Sequence, residues 1–244
     1  MASLKLNGKS ALVTGGARRI GREIALRLAK AGADLTITFE SSQEQAAQTV
    51  RAIQELGRRA QAVHCDVRSE TSVREAVAST AEFHARIDIL VNNAAIFESV
   101  PIDQITVEQW DAVFSTNARG PFLVARESHP YLRAAAGRIV NIGSIGGLHA
   151  LGRHAHYGAS KAALHMLTQS MAKAYAPEIC VNCVAPGWIE MEGSDQAEAA
   201  HFAAKTPLQR NGTATDVAEA VLYFATNSGF VTGQTLAVDG GLGL

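Results

Sequence analysis

What most limits the folds open to this chain is the alternation of short, apolar, β-rich runs with longer helical patterns. Strand candidates are SALVTG (10–15), DLTITF (34–39), AQAVHCDV (60–67), DILVNNA (88–94), RIVNIGS (138–144), ICVNCVAP (179–186) and TLAVDG (235–240). Helical patterns lie between them at 20–31, 43–56, 70–85, 106–134, 155–175 and 213–227. Strand, helix and next parallel strand make a right-handed βαβ unit, and repeating it builds a parallel sheet with helices on both faces. The strand runs are mostly apolar, as strands covered on both sides must be. No repeat or linker interrupts the pattern, so one α/β domain is expected over residues 1–244. The least patterned stretch, 187–212, precedes the last long helical pattern and is expected to be a lid or substrate loop.

Composition narrows the function. Hydrophobic residues are 47% and charged residues 18%, which suits a packed globule. A net charge of −1 gives no electrostatic reason to expect nucleic acid or an anionic membrane as partner. The start, MASLKLNGKSALV, has no long apolar core, and no run of 18 apolar residues follows. Neither a signal peptide nor a membrane span is expected, and a reducing, cytoplasmic setting fits. Three cysteines do not make a disulfide framework. Cys180 and Cys183 form a C-x-x-C, but within a strand such positions face opposite sides, which argues against a redox or zinc pair.

After the first strand comes Thr14-Gly15-x-x-x-Arg19-Ile20-Gly21, and then a helix. Gly15 permits a tight turn, Gly21 permits close helix–strand packing, and a helix N-terminus attracts phosphate. That order is the context of a dinucleotide site. Asp66, closing strand three beside Val67, is placed to accept from an adenine amino group. Asn93, Ala94 and Ala95 close strand four, leaving room for a cofactor, although a strand-end cap explains them equally well. Glu40, after strand two, suits a ribose 2′-hydroxyl and NAD(H). Arg18 and Arg19, with hydroxyls from Ser41 and Ser42, suit a 2′-phosphate. The balance favours NADP(H), with NAD(H) the alternative.

Tyr157 and Lys161 open the pattern 155–175, and their i, i+4 spacing puts them on one helix face. A free tyrosine has a pKa near 10, about three units too high for a base near neutrality. A lysine cation and an oxidised nicotinamide both favour tyrosinate, and in reduction the same phenol gives its proton to a carbonyl oxygen. Ser144, ending strand five, lies at the carboxyl edge where α/β sheets bind ligands and is placed to hydrogen-bond a substrate carbonyl. Asn117, polar within a helical pattern, is a candidate to hold a water that relays protons to Lys161. Taken singly, each has a structural explanation: a surface pair, a cap, a helix kink.

Together TGGARRIG, CDV, NNAA, STNARGPF, NIGS, YGASK, VNCVAPGWI and VDGG resemble, in order, the motifs of short-chain dehydrogenases/reductases over nearly the whole chain. The resemblance implies a Rossmann fold with a seven-stranded, doubly wound sheet in the order 3-2-1-4-5-6-7. It implies NAD(P)-linked oxidoreduction of an alcohol/carbonyl pair, a tetrad of Asn117, Ser144, Tyr157 and Lys161, and homotetramers. Lys161 would also bind the nicotinamide ribose, and Pro186-Gly187-Trp188-Ile189 would hold the carboxamide through the Ile189 backbone.

Two positions depart from the family pattern. Arg19 replaces its usual middle glycine, as in the subgroup resembling pteridine reductases, and Met191 stands where a threonine is common. Phe97 sits where those reductases place an aromatic against a pterin, yet they tend to lack the serine present here as Ser144. The competing resemblance is to 3-oxoacyl-carrier-protein reductases, which implies an acidic carrier and basic surface near the cleft, with Arg133 and Lys173 as candidates. The reading is a carbonyl/alcohol oxidoreductase acting on a small-molecule substrate, oxoacyl reduction its leading form. Dihydropterin reduction is the alternative, and a non-catalytic nucleotide sensor or scaffold the contrast of another class. His149, His154 and His156 lack an evident fourth ligand, so they are expected to line the substrate pocket rather than hold a metal. Arg153 is a candidate for selecting an anionic substrate.

Overall fold

The computed structural model describes residues 5–244. Its strands are β1 (Ser10–Val13), β2 (Asp34–Phe39), β3 (Ala60–His64), β4 (Ile89–Asn92), β5 (Arg138–Ile142), β6 (Cys180–Pro186) and β7 (Thr235–Val238). Its longer helices are α1 (Arg19–Lys30), α2 (Gln43–Glu55), α3 (Glu70–His84), α4 (Val107–Phe114), α5 (Gly120–Ala134), α6 (Ala155–Ala174), α7 (Gln196–Lys205) and α8 (Ala214–Thr226). The seven strands form one sheet in the order 3-2-1-4-5-6-7, and every pairing is parallel. This is the doubly wound Rossmann arrangement that the alternation of elements predicts.

Side chains along each strand alternate between the two faces, and so divide the core into two layers. In β1, Ala11 and Val13 join one cluster, with Leu35 and Ile37 of β2, Ile24 and Leu28 of α1, Ile53 of α2 and Val221 and Phe224 of α8. Leu12 points the other way, into a cluster with Val73 of α3, Leu123 and Leu132 of α5 and Met171 of α6. Both layers are buried, hence the continuously apolar strand runs. Thr106 and Thr213 begin α4 and α8 with capping boxes closed by Gln109 and Asp216, which satisfy helix-terminal N–H groups.

The chain reverses direction across the sheet between β1 and β4, which pair as Val13 with Val91. Loops leaving the carboxyl ends of neighbouring strands diverge there, opening the crevice in which such sheets bind ligands.

One expectation needs correction. The helical pattern 106–134 is not one regular helix: α4 and α5 are joined by a π turn over Ser115–Arg119, which adds a residue to the winding. The stretch 187–212 contains α7, capped by Asp195, whose side chain accepts from Glu198 N at 2.8 Å. Its alanine-rich sequence supplies helix propensity without strong amphipathic periodicity, which is why the pattern was hard to see. Among the described residues, no helix is long and apolar enough to cross a membrane.

Candidate functional site

A cleft of about 660 Å³ runs along the carboxyl edge of the sheet. It begins at the first turn. Thr14 Oγ1 accepts from the backbone N–H groups of Asn93 (2.9 Å) and Ala94 (3.1 Å). The Asn93 amide donates to Thr14 O at 2.9 Å and Gly15 O at 3.0 Å. These bonds lock the end of β1 to the end of β4, so Asn93 serves as a strand-end tie. Gly15 has φ +62°, and a Cβ there would lie 3.0 Å from Ala94 Cα. A Cβ on Gly21 would lie 2.2 Å from Gly15 O, so only glycine lets α1 approach the turn. Arg19 takes up φ +51°, the left-handed conformation that glycine normally supplies. Arg18 is extended, and both side chains are exposed at the start of α1.

At the far rim stand Glu40, Ser41, Ser42 and Asp66, with a residue the sequence reading passed over, Arg68. Its guanidinium reaches Glu40 Oε1 at 2.6 Å and Asp66 Oδ1 and Oδ2 at 2.8 and 3.0 Å. Those hydrogen bonds hold the Asp66 carboxyl below its usual range. Glu40 is therefore not the lone carboxylate that an NAD ribose site requires, and Asp66 shares the same guanidinium. The only local signal for Arg68 is its position two residues beyond Asp66.

The remaining expected residues meet nearer the middle. Ser144 lies two residues beyond the end of β5, and Tyr157 and Lys161 lie on the first turns of α6, all lining the cleft. Lys161 is buried, donates to Ile142 O at 2.8 Å, and has its Nζ 5.7 Å from the centre of the Tyr157 ring. Burial pushes its amine down to about 8. Burial also raises the Tyr157 phenol, opposed by a hydrogen bond with Ser144. The phenol stays protonated near neutrality.

Asn117 lies within the π turn and is fully buried, so it does not line the cleft. Its amide accepts from Ile96 N (2.9 Å) and donates to Ile96 O (2.9 Å) and Ser160 Oγ (3.1 Å). Its visible work is to pin the segment after β4 onto α6, and none of its hydrogen bonds goes to Lys161.

Ala95, Val67, Ile20, Pro186, Gly187 and Ile189 all line the same cleft. Ile189 pairs with Gly212, which fixes the loop after β6. In place of the family's threonine, Ser194 supplies a hydroxyl in that loop, accepting from Met191 N at 2.9 Å.

The histidines divide. His154 lines the cleft and stacks on Phe97, with ring centres 4.5 Å apart. His156 is buried with Nε2 3.7 Å from Glu98, and His149 lies beside Gly243 rather than on the lining. Among the described residues, no three His, Cys, Asp or Glu side chains gather as a metal site. Arg153 lies outside the lining, its Nε 3.4 Å from Ser99 Oγ. Arg133 and Lys173 sit in the last turns of α5 and α6, at the far ends from cleft-lining Thr116, just before α5, and Tyr157 and Lys161, on the first turns of α6. Helices of this length carry them roughly 20 Å away, so they are not the basic rim expected for a carrier protein. Arg133 pairs instead with Glu178 at 3.0 Å.

The family model described as enoyl-(acyl carrier protein) reductase matches residues 15–243. The chain belongs to the short-chain dehydrogenase/reductase family. Members of that family are oxidoreductases. A 3-oxoacyl-[acyl-carrier-protein] reductase of Synechocystis is 35% identical, over 97% of this chain and 98% of its own. A tetrahydroxynaphthalene reductase of Pyricularia oryzae is 34% identical, over 98% and 91%. A short chain dehydrogenase from Burkholderia cenocepacia, solved in complex with NADP, superposes with a TM-score of 0.94 at 39% identity, covering 98% of this chain and all of that one (100%).

Proposed function

We propose that this protein is an NADP(H)-dependent reductase of a carbonyl substrate, with a 3-oxoacyl thioester the first form to try. One observation carries the reading. The Tyr157 phenol, the Ser144 hydroxyl and the buried Lys161 amine face one cleft whose far rim bears three guanidinium groups, from Arg18, Arg19 and Arg68. Residues along that cleft fit a dinucleotide. Gly15 and Gly21 leave the close backbone space a pyrophosphate needs, and the start of α1 offers N–H groups to it. Arg18, Arg19, Ser41 and Ser42 suit a 2′-phosphate, and Glu40, the group that would repel one, is paired with Arg68. Asp66 and Val67 would hold the adenine end, Asn93, Ala94 and Ala95 would leave room for the cofactor, Lys161 would hold the nicotinamide ribose, and Pro186, Gly187 and Ile189 would hold the carboxamide. The solved relative holding NADP supports the same choice.

A bound nicotinamide supplies hydride chemistry beside Tyr157. Ser144 donates a hydrogen bond to the substrate carbonyl oxygen and orients it. Tyr157, kept protonated by burial, gives its proton to that oxygen as negative charge develops there. Lys161, beneath the ring, steadies the phenolate left behind, and it does so only while charged. Near pH 7 it is mostly cationic, because its pKa is about 8. Asn117 positions the Phe97 segment against α6 from behind.

Dihydropterin reduction is the second reading, favoured by the Phe97 ring set edge-on to Tyr157 at 4.8 Å. A single domain using 187–212 as substrate loop, a cytoplasmic setting and a homotetrameric assembly complete the proposal. Following NADPH oxidation with ketones, acyl thioesters and dihydropterins tests it. Turnover of a carbonyl that disappears in Tyr157→Phe while NADPH still binds is the expected result. Near-normal turnover by Tyr157→Phe would overturn the acid assignment.

A further inference from the structure

Against the backbone of Ser144 lies a buried imidazole that does not line the cleft. His165 follows Lys161 by one turn of α6 and is 6% exposed. Two glycines make room for its ring. A Cβ on Gly143 would lie 2.3 Å from His165 Nε2, and one on Gly147 would lie 2.8 Å from its Cε1. Cys183 of β6 shares the gap, since the same Gly143 Cβ would lie 2.7 Å from its Sγ. The ring is therefore wedged between the end of β5, the turn Ile145–Gly147 and its own helix.

The Ser144 N–H donates to His165 Nε2 at 3.5 Å, and among the described residues it has no other acceptor. A buried N–H without an acceptor is costly, so the bond holds this peptide in place. Ser144 Oγ accepts from Gly146 N at 3.0 Å, which leaves the hydroxyl hydrogen to donate. Because Nε2 accepts, the one proton of the neutral ring sits on Nδ1. Burial, and then the neighbouring Lys161 cation, bring the imidazole down to about 4, so it is neutral at working pH. A charged ring would have no lone pair for Ser144 and would repel Lys161. Cys183, the other titratable group here, is kept a thiol by burial, which pushes it up to about 11.

We propose that His165 is a positioning residue for Ser144: its Nε2 takes the Ser144 N–H and thereby sets the place from which the Ser144 hydroxyl meets the substrate carbonyl. The proposal rests on the reading of the cleft as a carbonyl reductase site. His165 touches neither substrate nor cofactor and acts only through Ser144.

The test follows NADPH oxidation with ethyl acetoacetate, a neutral 3-oxo ester. His165→Leu keeps bulk and removes the acceptor, whereas His165→Gln keeps an acceptor oxygen. His165→Leu is expected to lower kcat by about tenfold, with KM and the NADPH dissociation constant moving by less than about twofold. His165→Gln should return kcat to within about threefold of the unaltered protein. In a Ser144→Ala background, measured in single turnovers, His165→Leu should cost less than about twofold, because the group it positions is gone. An undiminished loss in that background, or a raised KM with kcat unchanged, would overturn the proposal. Nitrogen-15 NMR of the histidine rings at pH 7 gives a readout that needs neither turnover nor a folded leucine variant, with the His165 signals assigned by their absence in His165→Gln. A proton on Nδ1 alone is expected, and a proton on Nε2 would overturn the proposal whatever the kinetics. If the unaltered protein reduces no carbonyl while the proton sits on Nδ1, the hold on Ser144 stands and the carbonyl-reductase reading falls.

Discussion

Replacing Arg19 by glycine perturbs two quantities in opposite directions. Arg19 sits at φ +51°. An L-residue in the left-handed region costs about 1 kcal/mol relative to glycine, so Arg19→Gly should stabilise the free protein by about that amount. For a chain of this size the melting temperature should rise by about 2–4 °C. The same change removes a guanidinium at the adenosine rim, and a charge-assisted hydrogen bond to phosphate is worth about 1.5–3 kcal/mol. The dissociation constant for NADPH should therefore rise by about 10- to 100-fold, while that for NADH, which has no 2′-phosphate, moves by less than about twofold. Scanning calorimetry of the free protein and fluorescence titration with each cofactor read the two effects separately. Equal weakening of both cofactors would refute the 2′-phosphate role. A lowered melting temperature would refute the claim that the arginine strains the turn.

Other expectations follow from buried charges. Lys161→Met should abolish turnover yet stabilise the fold. Lowering an amine from 10.5 to about 8 costs about 3 kcal/mol, offset by about 1–2 kcal/mol for the Ile142 carbonyl left without its donor. The unfolded amine binds more protons than the folded one between pH 8 and 10.5, so wild-type stability rises across that window and the variant's advantage shrinks, as denaturation at several pH values would show. In the reduction direction, the rate should fall as pH rises through about 8 and Lys161 loses its charge, visible in a pH–rate profile. At the opposite end of the sheet, Asp88 is buried, which raises its pKa, but bonds from Arg86, Ser10 N and Lys9 win and leave it lowered. Asp88→Ala should cost about 2 kcal/mol, measured by urea unfolding. Because the folded pKa is depressed, that difference should be full above the usual carboxylate range and close as pH falls below about 4.

The cleft residues were unevenly legible. Gly15, Gly21, Tyr157 and Lys161 announce themselves because the constraint is local: a turn, a close helix approach, an i, i+4 face. Ser144 is legible because it follows a strand on the edge where ligands bind. The adenosine rim was only half legible. Glu40 looked like a free carboxylate because its partner, Arg68, lies 28 residues further along the chain. Asn117 was legible as an anomaly in a helical pattern, but not as a π turn whose amide ties Ile96 to Ser160. Lys173 and Arg133 misled because charge alone does not say which end of a helix faces the cleft.

The sequence by itself determined the layered α/β architecture and the strand order its family motifs imply. Short apolar runs alternating with helical patterns, and glycines at close approaches, are local constraints that little else satisfies. Only the tertiary structure decided how the charges pair and which side chains share a wall. Arg68 pairing with Glu40, burial holding Tyr157 protonated and Lys161 near 8, and Phe97 packed against His154 and Tyr157 all arise between residues distant in sequence. Electrostatics and desolvation depend on distance through space and on burial, and neither is set until the sheet and its loops close around the cleft.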